Sequence, residues 1–134
     1  MARTGGVKAG DRAGCGDGRG YWQIQIDGKL YRSGRLAFLF MTGQFPAHLV
    51  DHRNRVRSDD RWKNLRDATS AQNSANSRHP RRKHFGLPRG VYPHSGKFQA
   101  LLGGGYLGRF ATMAAASVAY SHAAQARYGE FSVT

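Results

Sequence analysis

Between Ser77 and Pro88 the chain reads SRHPRRKHFGLP, with two prolines, four Lys or Arg and two histidines. Such a shift marks a basic linker and a domain boundary. A chain of 134 residues cut there must be built from two very small modules, a size at which folding alone is marginal. With 40% hydrophobic residues there is material for a core. The single cysteine, Cys15, excludes an internal disulfide framework and any zinc site built on two or more cysteines. Apolar packing must therefore hold both modules, in a reducing compartment.

Ahead of the linker, MARTGGVKAGDRAGCGDGRG is basic and Gly-rich with no apolar stretch behind it, and reads as a flexible arm over residues 1–20. Tyr21 to Ile26 then alternates with period two, and Asp27-Gly28 separates it from Lys29 to Arg32, which predicts a β-hairpin. Arg35 to Thr42 reads as a short apolar helix stopped by Gly43 and Pro46. His48 to His52 looks like a strand delivering two polar side chains at its end. A charged loop follows, Arg53 to Arg61, and a polar helix starts near Thr69, with Asn73 and Asn76 on one face. Beyond the linker, Arg89–Tyr92, Lys97–Leu102 and Tyr106–Phe110 read as three strands. Thr112 to Tyr128 reads as an Ala-rich helix with Gly129 at its C-cap. Its stripe of Ala116, Ala119, Tyr120, Ala123 and Ala124 suits packing on a small sheet.

Twenty-one Lys and Arg against eight Asp and Glu leave a net charge of +13, which points to a polyanionic partner. The longest apolar run, Leu36 to Met41, is far short of the roughly 20 residues that cross a bilayer, so no membrane span is expected. Arg53, Arg55, Arg57, Arg61, Lys63 and Arg66 crowd one loop; Arg78, Arg81, Arg82 and Lys83 crowd the linker. Both clusters read as phosphate contacts, of the kind that supply salt-dependent DNA affinity.

The stretch LVDHRNRVRSDDRWKNLRDATSAQNSAN, residues 49–76, carries chemistry. Asp51 beside His52 at a strand end, then Asn64-Leu65-Arg66, then a helix with Asn73 and Asn76, would place Asp51, His52, Asn64 and Asn73 around one spot. Carboxylate and amide oxygens suit a hard cation such as Mg2+, and a neutral His can take a proton from water near pH 7. Asp59 and Asp60, beside Arg57 and Arg61, read more simply as a solvated ion-pair cluster. Asn76 is the rival to Asn73 as ligand.

This string closely resembles the HNH homing endonucleases of phage type, nucleases of the ββα-metal or His-Me finger fold, whose motif runs Asp-His, Asn-Leu-Arg, Asn-x-x-Asn. GRLAFLFMTGQFP, residues 34–46, resembles their lead-in helix, with Gly34 where relatives carry His. The resemblance implies His52 as general base, Asp51 and Asn73 as holders of one Mg2+ or Mn2+, and Asn64 as the structural residue that aims His52. Residues 89–134 are similar to the plant ethylene-response-factor DNA-binding domain, through Arg-Gly-Val, Gly-Lys-aromatic, Leu-Gly-x-Phe and the Ala-rich helix. That resemblance implies a sheet laid in the major groove, with Arg89, Tyr92, Lys97, Gln99 and Arg109 facing DNA.

The expected protein is thus α+β: a flexible arm, an HNH domain over 21–76, a linker over 77–88, and a three-stranded antiparallel sheet packed on one helix over 89–134. Its expected activity is cleavage of double-stranded DNA by a monomer that nicks one strand, with no protein partner and no membrane. Its expected place is the bacterial cytoplasm, as a phage product. The rival is a non-cleaving, sequence-specific DNA-binding protein with a degenerate HNH segment; an RNA- or ribosome-associated basic protein leaves the motif spacing unexplained.

Overall fold

Asp27-Gly28 forms the turn its alternating flanks predict. In the computed structural model, which describes residues 8–77 and 86–132, β2 (Trp22–Ile26) and β3 (Lys29–Arg32) pair antiparallel from Ile26↔Lys29 to Gln23↔Arg32. Asp27 and Gly28 both take positive φ, 47° and 77°, the two-residue geometry whose twist matches that of the strands. A short strand β1 (Cys15–Gly16) adds to β2, so part of the stretch expected as a flexible arm is folded. Its attachment uses backbone groups and one side chain, Trp22 Nε1 donating to Ala13 O at 2.7 Å. Period-two side-chain patterning therefore carries no sign of it.

Two compact units emerge, Met1–Asp67 and Ala68–Thr134. In the first, α1 (Ser33–Thr42) follows β3 directly and is closed by Gly43, whose N–H reaches Leu39 O at 2.9 Å. Phe38 is buried from α1, with the Trp62 ring edge-on at 4.8 Å. A second, two-stranded sheet pairs β4 (Leu49–His52) with β5 (Leu65–Ala68). Asp67 on β5 accepts from the backbone N–H groups of Ala47 and His48, at 3.2 and 3.0 Å, and so fixes the entry to β4.

The second unit opens with α2 (Ser70–Asn76). Its N-terminus is a full capping box: Thr69 Oγ1 accepts from Gln72 N–H, and Gln72 Oε1 accepts from Thr69 N–H. The sheet is β6 (Val91–His94), β7 (Lys97–Leu102) and β8 (Gly105–Phe110), antiparallel in that order. α3 (Met113–Tyr128), with Thr112 as N-cap, covers one face. Ala116, Tyr120 and Ala124 of its small-residue stripe pack on Val91, Ala100 and Leu102. Val91, not Arg89, begins β6. Gly90 takes φ 71°, and a Cβ there would lie 2.1 Å from the Tyr120 ring, so the chain turns before it pairs. A second cluster joins Ala68 and Ala75 to Phe131. Among the described residues no helix is long and apolar enough to cross a membrane.

Candidate active site

β4 ends by carrying Asp51 and His52 into the first unit, where both are buried. Opposite Asp51 stands Arg66 on β5, its Nε donating to Asp51 Oδ2 at 2.7 Å, with both side chains buried. A buried pair of this kind gains little over apolar residues, yet loss of one partner strands the other charge at about 3–5 kcal/mol. Arg66, expected among the phosphate contacts, is therefore turned inward. Its position in Asn-Leu-Arg shows a charge; only the strand pairing shows where that charge points.

The loop after His52 is tied by Asn64. Its Oδ1 accepts from Asn54 N–H at 3.0 Å, and its Nδ2 donates to Asn54 Oδ1 and to Asp59 O, at 3.0 and 2.7 Å. Its carbonyl accepts from Arg53 N–H at 2.9 Å. One buried amide thus closes both ends of the loop that leaves the His52 strand.

Asp59 and Asp60 part company. Asp59 is gripped by Arg61 through two bonds of 2.6 Å, and Asn54 Nδ2 adds a third at 2.7 Å. The Arg61 guanidinium holds this carboxyl far below the usual carboxylate range. Asp60, expected as part of the same solvated cluster, instead faces inward: its Oδ1 lies 2.9 Å from His52 Nε2, and its Oδ2 receives the Ser33 hydroxyl. Burial pushes the Asp60 carboxyl up, but the His52 and Ser33 bonds outweigh it and leave it below the ordinary value. Asp60 is therefore ionised at neutral pH, so the proton in its bond to His52 sits on Nε2. In any neutral imidazole with its proton on Nε2, the lone pair is on Nδ1.

Tyr21 completes this wall, its ring centroid 6.0 Å from that of His52. The Arg32 and Arg57 guanidiniums lie 4.0 and 5.1 Å from the Tyr21 centroid, and Arg57 Nη1 also donates to Arg19 O. Arg53, Arg55 and Arg61 are exposed.

Asn73 and Asn76 stand on α2, in the second unit, Asn73 half-buried and Asn76 buried. No group of three or more His, Cys, Asp or Glu gathers among the described residues. The donors proposed for a cation, a carboxylate and an amide oxygen, fit a hard divalent ion by their chemistry.

In the second unit, Tyr92, Gln99 and Arg109 form one cross-strand row, and His94 sits opposite Lys97. This row is on the sheet face away from Val91 and Ala100, which α3 covers. Arg89 is engaged elsewhere: its guanidinium donates to the carbonyls of Ser74, Ala75 and Ser77 and caps the C-terminus of α2. Arg81, Arg82 and Lys83 lie outside the described residues.

Residues 33–75 match the HNH endonuclease family. The match takes in α1, the Asp51-His52 strand end, Asn64 and Asn73, and supports a nuclease domain acting on DNA. No curated protein and no solved structure matches the chain. Asp60 is the residue that sequence reasoning missed. The only available signal was that Arg61 satisfies one of two adjacent aspartates and leaves the other for a different partner.

Proposed function

We propose that this protein is a homing-type HNH endonuclease encoded by a phage, which nicks double-stranded DNA as a monomer in the cytoplasm of the bacterial host. The observation that carries the reading is the buried Asp51-His52 pair at the end of β4, with Asn64 locking the loop behind it. His52 acts through Nδ1 as general base, taking a proton from the attacking water. The water oxygen bonds to phosphorus as the P–O3′ bond breaks, and the 3′ oxygen picks up a proton from solvent, leaving 5′-phosphate and 3′-hydroxyl ends. Asp51 and Asn73 would hold one Mg2+ or Mn2+, which supplies positive charge against that building on the phosphate and the leaving oxygen.

DNA is held in this reading by Arg53, Arg55, Arg57 and Arg61 of the loop, by Arg81, Arg82 and Lys83 of the linker, and by the sheet face of Tyr92, Lys97, Gln99 and Arg109. The likeness of residues 89–134 to the ethylene-response-factor domain supports the last group. Arg66 and Arg89 serve the fold.

A supercoiled-plasmid assay carrying the cognate target tests the proposal. Wild type with Mg2+ or Mn2+ should give open circles, and His52→Ala should slow this by at least about 100-fold. An intact plasmid with wild-type protein under both ions rejects cleavage. That result would favour the non-cleaving DNA-binding reading, which draws on one observation: Asp51 already faces the Arg66 guanidinium.

A further inference from the structure

Asp60 divides its two oxygens between different elements. Oδ1 takes the His52 Nε2 proton at 2.9 Å and Oδ2 takes the Ser33 hydroxyl, while Arg12 Nη2 stands 3.9 Å from Oδ2. Ser33 begins α1, a helix with no side-chain cap of its own and no acidic residue in its first turn. A carboxylate is favoured beside the positive end of such a helix. Gly34 leaves the room for it. A Cβ at that position would lie 3.1 Å from Asp60 Oδ1 and 3.2 Å from Val50 Cγ1, closer than nine in ten real contacts. The oxygen that a side chain at 34 would crowd is the one bonded to His52.

We propose that Asp60 is the positioning residue of His52, fixing the imidazole plane and holding a proton on Nε2 so that in the neutral ring the lone pair is on Nδ1, and that Gly34 is the space this arrangement requires. The proposal rests on His52 being the general base. Neither residue touches substrate. Asp60 acts through His52, and Gly34 acts through Asp60.

Two readouts on the full-length protein separate the proposal from the nuclease reading beneath it. The first is independent of cleavage: a long-range proton–nitrogen NMR spectrum of the metal-free protein at a pH where His52 is neutral. Wild type should show His52 as the Nε2–H tautomer, and Asp60→Ala should show a mixture of both. The second is steady-state nicking. Asp60→Ala should lower kcat by about 10- to 100-fold, the scale of loss when the hydrogen-bond partner of a metal-bound imidazole is removed, with KM for DNA within about twofold. Asp60→Asn keeps an acceptor oxygen and should recover part of the rate.

Should Asp60→Ala fail to fold, Gly34→Ala still decides. Alanine is the better helix former but its Cβ would crowd Val50 Cγ1, so a merely structural Gly34 predicts a change in stability alone, with the tautomer and kcat of the folded protein unchanged. Positioning predicts a stable protein with a shifted tautomer and kcat reduced about threefold to tenfold, less than the loss from removing the carboxylate altogether. An unchanged tautomer in Asp60→Ala, or in Gly34→Ala where the first does not fold, overturns the proposal. Inactive wild type whose tautomer still follows Asp60 rejects the nuclease reading and leaves the contact standing.

Discussion

Among the described residues the buried side chains of the first unit are mostly polar: Asp51, His52, Asn64 and Arg66 stand beside Phe38, Pro46 and Leu65. The second unit reverses this, burying Val91, Ala100, Leu102, Ala116, Tyr120, Ala124 and Phe131 with Asn76 the lone polar member among the described residues. Charge is partitioned in the same sense. Thirteen Lys and Arg face seven Asp in the first 67 residues, while eight face one Glu in the rest. Seven of the eight carboxylates therefore lie in the unit that holds the loop and the candidate site. One unit is held by directional bonds around the candidate site, the other by packing of one sheet face against α3. In the first unit, changes to chemistry and changes to stability should be hard to separate; in the second they should separate cleanly.

The sharpest way to break this contrast is Arg66→Ala. It leaves the Asp51 carboxylate buried without its guanidinium and should cost about 3–5 kcal/mol. Hydrogen exchange should then show protection lost in β4 and β5 and retained in β6 to β8. Equal loss in both sheets would show that the polar network is not confined to its own unit. Next comes Leu102→Ala, which opens a void in the second core and should cost about 2–5 kcal/mol. Exchange should rise in β6 to β8 while the β4 and β5 amides stay protected; a rise in β4 and β5 would contradict the division.

Acid and alkali should also act on different units. Burial raises the Asp17 carboxyl, but the Arg19 and Tyr21 N–H groups and the Arg32 guanidinium more than offset it, and Asp59 and Asp60 are likewise lowered by their partners. Their stabilisation is present above the ordinary carboxyl value of 3.8 and is lost as pH falls through the lower folded values. In Tyr120, burial raises the hydroxyl above its usual 10.0, so its stabilisation is full below pH 10 and lost as pH rises through the folded value. A pH series of exchange spectra should show the first unit loosening at the acid end and the second at the alkaline end; the opposite order would refute the assignment. The smallest effect on stability belongs to Lys97→Ala, on the exposed sheet face, which should stay within about 0.5 kcal/mol. It should nonetheless reduce the slope of log affinity for DNA against log salt by about one. An unchanged slope removes Lys97 from the contact surface.

Sequence was most informative where local rules apply. The Asp27-Gly28 hairpin, the Gly43 stop, the helix start near Thr69 and the Ala-rich stripe of α3 depend on neighbours within a few positions, and each has its structural counterpart. β1 escaped because its pairing is through backbone in a Gly-rich stretch. Arg66 and Arg89 were read from charge, which carries no direction: one points into the strand pair and the other onto the end of α2. Asp60 escaped because its partners, Ser33 and His52, lie 27 and 8 residues away, and only the fold joins them. The same contact gives Gly34, visible as a departure from the resemblance, its physical reason.

A single residue, Thr69, lies between β5 and α2, and α2 sets Ala75 against Phe131 near the end of the described chain. The stretch that matches the nuclease family therefore finishes inside the packing of the C-terminal unit. Shuffling of modules at the basic linker would transplant α2 without the ring it rests on and leave an apolar scar on both fragments. Lineages that recombine such genes would need either to carry the C-terminal residues along with the motif or to repaint the underside of that helix with polar side chains.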